Sequence, residues 1–187
     1  MEIKVGCFEK PGRVNTEATL RIARQRAEEL GIQTVVIASS RGDTAVQAVE
    51  VFSGYRVVVV STSTGFREPN VQRFTEENRK ILESKGAMIL TTAHAFAGVS
   101  RAMRLKFDTL AIGEIIANVL RVFGNGVKVA CEVSMMAADS GLVSVDEDII
   151  AIGGSGGGAD TAVVLRPVNS HNFFDLKVRE ILCKPRL

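Results

Sequence analysis

The 187 residues carry 46% hydrophobic and 24% charged side chains with a formal net charge of +2, a composition that excludes a disordered or fibrous chain and gives one α/β domain over residues 1–187 room for a sizeable core. Interspersed charge signs, no tryptophan and a single tyrosine argue against a nucleic-acid partner, which calls for a basic face and aromatic stacking platforms. No apolar run reaches the ~20 residues of a membrane-spanning helix, and MEIKVGCF does not read as a secretory leader, so a cytoplasmic protein without a membrane partner is expected.

In chain order, short β-branched runs alternate with longer helical segments, the pattern of βα units around a mostly parallel sheet in three α/β/α layers. Strands are predicted at Ile3 to Cys7, Thr34 to Ala38, Arg56 to Ser61, Ala87 to Thr92 and Asp148 to Gly153. Runs such as VVIA and VVVV lack alternation, as strands covered on both faces do. The first helix reads from Asn15 to Leu30, with Asn15 or Thr16 as its cap, and Gly31 ends it. Further helices are predicted at Thr44 to Phe52, Asn70 to Ser84, Asp108 to Phe123 (Asp108 as N-cap) and Val127 to Ser140. Two late apolar runs, Ala162 to Leu165 and Phe173 to Leu182, are expected to add strands at the sheet edge near the C-terminus. Cys7, Cys131 and Cys183 are scattered, which suits a reducing compartment and gives neither a disulfide framework nor a zinc spacing. No metal site is expected.

The connections fall into two kinds. Helix-to-strand turns such as ELGIQ and SKGA are plain, whereas SSRGDT, STSTGFREPN, TTAHAFAGVS and GGSGGGADT, following strands, are rich in hydroxyls, glycine and charge. In a parallel sheet such loops share the carboxyl edge, where open α/β sheets bind ligands. Ser39, Ser40, Arg41, Gly42, Asp43 and Thr44 run from a strand into a helix. Free N–H groups at the helix start, three hydroxyls and a guanidinium can hold a phosphate there, with Gly42 permitting close backbone approach and Asp43 capping the helix. Asn15 and Thr16, at the start of the first helix, are counted with the same ligand-side residues.

Gly154, Ser155, Gly156, Gly157, Gly158, Asp160 and Thr161 belong to a loop with five glycines in the six residues from Gly153; successive N–H groups in such a loop can form an anion nest. Its GxGxxG-like fragments lead toward a strand, so the dinucleotide fingerprint is not met, and the Walker spacing is also missing. Thr62, Ser63, Thr64, Gly65, Phe66 and Arg67 offer hydroxyls, a base and one aromatic face for a planar ring. His94 or an acidic residue is the candidate proton-transfer group at this edge, and His171 is weaker. Glu9, Asp43, Asp139 and Asp160 are acids without an assignable reaction, and no GxSxG, HExxH or Cys–His pairing appears.

TVVIASSRGDTAVQAVEVF followed by RVVVVSTS, and later DIIAIGG leading into GSGGGADTAVVL, resemble the carboxyl-terminal domain of pyruvate kinase. In that domain the hydroxyl-rich turn and the final glycine loop form an effector site for a sugar phosphate, roles the resemblance carries to Ser39–Thr44 and to Gly154–Thr161. The segment from STSTGFREPN through Phe107 departs from it. The sequence includes no catalytic barrel, so the resemblance implies no phosphoenolpyruvate chemistry. It is similar instead to stand-alone archaeal proteins of this fold, a group without an assigned function, for which the resemblance implies flavin mononucleotide (FMN) as ligand. Three readings stand open: a binding protein for FMN or a related phosphate-bearing nucleotide, an enzyme acting on a phosphorylated metabolite, and a regulatory or assembly module. A homo-oligomer is expected because edge strands near the C-terminus need cover.

Overall fold

The structure, a computed structural model, describes residue 2 and residues 4–186. Seven strands form one sheet: β1 (Gly6–Phe8), β2 (Thr34–Ala38), β3 (Arg56–Ser61), β4 (Met88–Thr91), β5 (Ile149–Gly153), β6 (Thr161–Arg166) and β7 (Lys177–Pro185). Their order is β1-β7-β6-β5-β2-β3-β4. β5, β2, β3 and β4 pair in parallel, β6 runs antiparallel to both its neighbours, and β7 pairs in parallel with β1. Among the described residues six α-helices join them: α1 (Thr16–Leu30), α2 (Asp43–Val51), α3 (Glu76–Ser84), α4 (Gly98–Phe107), α5 (Ile112–Arg121) and α6 (Asn125–Asp139). Among the described residues no helix is long and apolar enough to cross a membrane.

Strand side chains alternate between two cores, the consequence of the two-residue repeat of a pleated strand. Val35, Ile37, Val57, Val59, Ile150 and Ile152 meet α1, α2 and α3 on one face. Val36, Val58, Val60, Ile149 and Ala151 meet α6 on the other. The expected three layers are present, and the uninterrupted apolar runs arise because both faces are covered.

Several expectations need correction. The first strand begins at Gly6 rather than Ile3, which lies outside the described residues. β6 and β7 are interior strands: β1 pairs with β7 and takes the edge, so the C-terminal strands already have their cover and give no reason for self-association. Phe173 and Phe174 fall in a 3-10 turn, Ser170–Asp175, ahead of β7. The helix expected from Asn70 starts at Glu76, because Asn70 adopts φ +64° and Thr75 caps the helix by accepting the Asn78 N–H at 3.2 Å. Asp108 does not open a helix. It sits at φ +48° with its N–H on the Arg104 carbonyl, closing α4, a helix not expected from the sequence.

Candidate functional site

At the carboxyl edge of β2, β3, β4 and β5, the following loops surround a cavity of about 470 Å³, within the range of small-molecule pockets. Five cations, Arg13, Arg41, Arg67, Arg73 and Lys128, line it against two carboxylates, Asp43 and Glu132. The imbalance favours an anionic occupant.

One wall is the β2–α2 turn. Buried Ser39 accepts the Ala45 N–H at 3.4 Å, while the N–H groups of Asp43 and Thr44, first in the helix, have no intrahelical acceptor. That is the geometry an anion takes at a helix start. The cap position belongs to Gly42, not Asp43. Asp43 instead ties three segments together: its carboxylate lies 3.2 Å from the Arg13 guanidinium and 3.7 Å from that of Arg41, and accepts from Asn78 Nδ2 at 3.1 Å. Gly42 is glycine for a reason other than ligand approach. Its φ is +101°, and a Cβ there would meet Asn78 Cβ at 2.5 Å, so it answers to the packing of α3.

The facing wall is the glycine loop, which joins β5 to antiparallel β6 as a hairpin rather than leading into a helix. Asp160, fully buried, organises it. Its Oδ2 accepts the N–H groups of Gly12 at 2.8 Å and Ser155 at 3.1 Å, and its Oδ1 the Thr161 hydroxyl at 2.8 Å. Thr16 Oγ1 accepts the Ala159 N–H at 3.0 Å. A Cβ on Gly158 would collide with the Arg13 backbone, which explains that glycine by the docking of the Arg13 segment. Gly156 and Gly157, with φ +71° and +128° and open space around them, line the cavity.

The remaining boundary is charged and buried. Lys128 and Glu132, one helical turn apart on α6, form an ion pair. The second Glu132 oxygen accepts the Phe96 N–H at 3.0 Å, and His94 Nδ1 stands 3.6 Å from the first. Burial pushes the Glu132 carboxyl up, but the adjacent His94 ring, the Lys128 charge and the Phe96 N–H together outweigh it and hold the group down at about 2. Glu132 is therefore ionised throughout the physiological range. The His94 ring lies 5.3 Å from that of Phe66, over which the Arg101 guanidinium sits at 4.8 Å. Thr62 Oγ1 and His94 Nε2 are buried without a hydrogen-bond partner. Buried polar atoms rarely stay so, and both residues line the cavity.

Of the residues singled out in the sequence, Ser39, Ser40, Arg41, Asp43, Thr44, Thr62, Phe66, Arg67, His94, Gly154, Gly156, Gly157 and Gly158 line this one cavity. Asn15, Thr16, Gly42, Ser63, Thr64, Gly65, Ser155, Asp160 and Thr161 do not. Asn15 holds the preceding turn through the Lys10 carbonyl at 2.6 Å and leaves its helix without a side-chain cap. Sequence reasoning missed Arg13, Arg73, Lys128 and Glu132. The last two had a legible signal: charges at i and i+4 within VKVACEVSMMAA, an otherwise apolar helix face.

Residues 17–165 match the family model described as pyruvate kinase, alpha/beta domain. Among solved structures, a pyruvate kinase from Cryptosporidium parvum is 14% identical with a TM-score of 0.43, covering 82% of this chain and 23% of its own. A second structure of pyruvate kinase from that organism is 16% identical with a TM-score of 0.42, covering 85% of this chain and 23% of its own. The chain thus spans about a quarter of the length of these enzymes.

Proposed function

This chain belongs to the pyruvate kinase alpha/beta-domain family, and from there we propose that it binds a phosphate-bearing small molecule, FMN or a related nucleotide, in the cavity at the carboxyl edge of the sheet. One observation carries the reading: the free N–H groups at the start of α2, the open glycines of the β5–β6 hairpin and five cations converge on a single cavity. The phosphate sits at the start of α2, between Ser39–Thr44 and Gly156–Gly158, with Arg13 and Arg41 held ready by Asp43. The ring extends toward Phe66 and His94, where the unpartnered Thr62 hydroxyl and His94 Nε2 supply hydrogen bonds.

The test is titration of the purified protein with FMN, riboflavin and inorganic phosphate, following flavin fluorescence and melting temperature. FMN is expected to bind more tightly than riboflavin, and Arg41→Ala to weaken FMN by ~10-fold or more, the loss of a charge-assisted hydrogen bond of about 1.5–3 kcal/mol, while leaving riboflavin unchanged. Equal affinity for FMN and riboflavin sinks the phosphate assignment. Binding of other phosphate esters but not FMN removes the flavin and keeps the turn.

The pairing of His94 with ionised Glu132 favours a second reading, an enzyme using His94 as proton-transfer group on a phosphorylated metabolite. Turnover across a panel of phosphate esters, lost in His94→Ala with binding retained, is the expected result. No turnover with any of them ends that reading.

A further inference from the structure

α5 has apolar residues on two sides. Ile116, Ala117 and Leu120 pack inward against Phe96, Met135 and the α6 core. Ile112, Ile115, Val119 and Val122 point the other way, and the outermost two are 75% and 76% exposed. Their spacing of three, four and three residues is the a/d repeat of a coiled-coil seam, and here the seam has nothing against it. α4 repeats the anomaly. None of its residues is buried, and Val99, Met103 and Phe107, at intervals of four, are exposed.

With Leu110 and Phe123 at the ends of α5, this helical hairpin exposes roughly 1,000 Å² of apolar residue surface, against about 300–600 Å² for the largest patch on an ordinary monomer. One side of a standard protein interface needs about 800 Å². Of the charges beside the stripes, Arg104 pairs with Glu114 at 2.8 Å and Arg121 donates to the Asn118 amide oxygen at 2.8 Å, while Lys106 and Asp108 are exposed at the end of α4. A face that is apolar and of dimer size has the makeup of an interface between identical subunits, in which each stripe meets its own copy.

We propose that the chain forms a symmetric homodimer, hairpin against hairpin, through the outer faces of α4 and α5, and that this contact holds the cavity's His94 segment in place. The second part follows from connectivity. α4 begins four residues after His94, carries Arg101 onto the Phe66 ring, and contributes no buried residue of its own to anchor it. Covering its outer stripe supplies the missing anchor. The inference stands independently of the phosphate reading.

Light scattering on the eluting protein, from micromolar to millimolar concentration, tests the association. Wild type is expected at twice the chain mass. Ile115→Glu and Val119→Glu, each placing like charges across the two-fold, are expected to give folded monomers with unchanged circular dichroism, while Leu30→Glu at the end of α1 leaves the dimer intact. A monomeric wild type overturns the proposal, as does a dimer that survives both substitutions. Hydrogen exchange tests the coupling and needs no ligand: amides of residues 92–107 should exchange at least ~10-fold faster in the Ile115→Glu monomer, a loss of about 1.4 kcal/mol of local protection. Unchanged exchange there refutes the coupling and leaves the dimer to be judged by mass alone.

Discussion

Replacing Glu132 by glutamine tests the electrostatics of the cavity boundary directly. The carboxylate is 2% exposed, accepts from Lys128 and the Phe96 N–H, and is held at about 2 against an ordinary value of 4.5. Each unit of that gap corresponds to about 1.4 kcal/mol, so the ionised group stabilises the fold by about 3 kcal/mol near neutral pH. Because its folded value is the lower one, the stabilisation is full above the unfolded value of 4.5 and is lost as pH falls toward 2. Glutamine removes it and leaves Lys128 buried without its carboxylate, which by itself costs about 3–5 kcal/mol, a large share of the roughly 5–15 kcal/mol available to a domain. Urea unfolding followed by circular dichroism at pH 7, 5 and 3 is the assay. Wild type should exceed Glu132→Gln by about 3 kcal/mol or more at pH 7 and 5, with the gap narrowing at pH 3. A gap that is small at pH 7, or that does not change with pH, refutes the reasoning. In the double variant Lys128→Met, Glu132→Gln, the cost should be smaller than the sum of the two singles, because neither charge is then left alone.

Asp160→Asn should destabilise the protein by about 1–3 kcal/mol, since an amide cannot accept from Gly12, Ser155 and Thr161 at once; FMN affinity should fall with it as the glycine loop loses its anchor, and an unchanged melting temperature would count against that role. The thiols should divide by burial: Cys7 is exposed, whereas burial pushes Cys131 up to about 12 and Cys183 up to about 11. A thiol-specific disulfide reagent at pH 8 should therefore modify one cysteine in the native protein and three after denaturation.

The parts of this fold that could be read from sequence are those whose signals are local. Thr34–Ala38 and Arg56–Ser61 were located to the residue, because a β-branched run between a glycine-closed helix and a hydroxyl-rich turn has few other conformations open to it. The β2–α2 turn was legible for the same reason. The glycine loop's wealth of glycine was visible, but its causes were not: Gly158 answers to the Arg13 segment, 145 residues away in the chain, and no local pattern announces such a neighbour. The position of β7 between β1 and β6 likewise depends on a pairing between the two ends of the chain.

α4 was missed for a different reason, and the reason bears on the proposed dimer. A helix is recognised by an apolar stripe that faces its own core, framed by a capping side chain. α4 follows Ala97, which offers no side-chain cap, and it buries none of its residues. Its stripe at Val99, Met103 and Phe107 is present in the sequence at helical spacing but points away from the sheet, so a reading that assigns every apolar residue to one internal core finds no place for it. α5 escaped the same fate because its inner residues, Ile116, Ala117 and Leu120, satisfied that reading while concealing the outer heptad. The segment from STSTGFREPN to Phe107 includes all of α4, and α5 follows it directly. Both helices make sense once a second core outside the single chain is allowed, and the same segment carries Phe66, Arg73 and His94 to the cavity. If the dimer forms, ligand affinity and self-association are linked through α4, and dilution below the dimer's dissociation constant should weaken FMN binding in wild type but not in the already monomeric Ile115→Glu. Affinity that is independent of wild-type concentration across that range would separate the two functions of this segment.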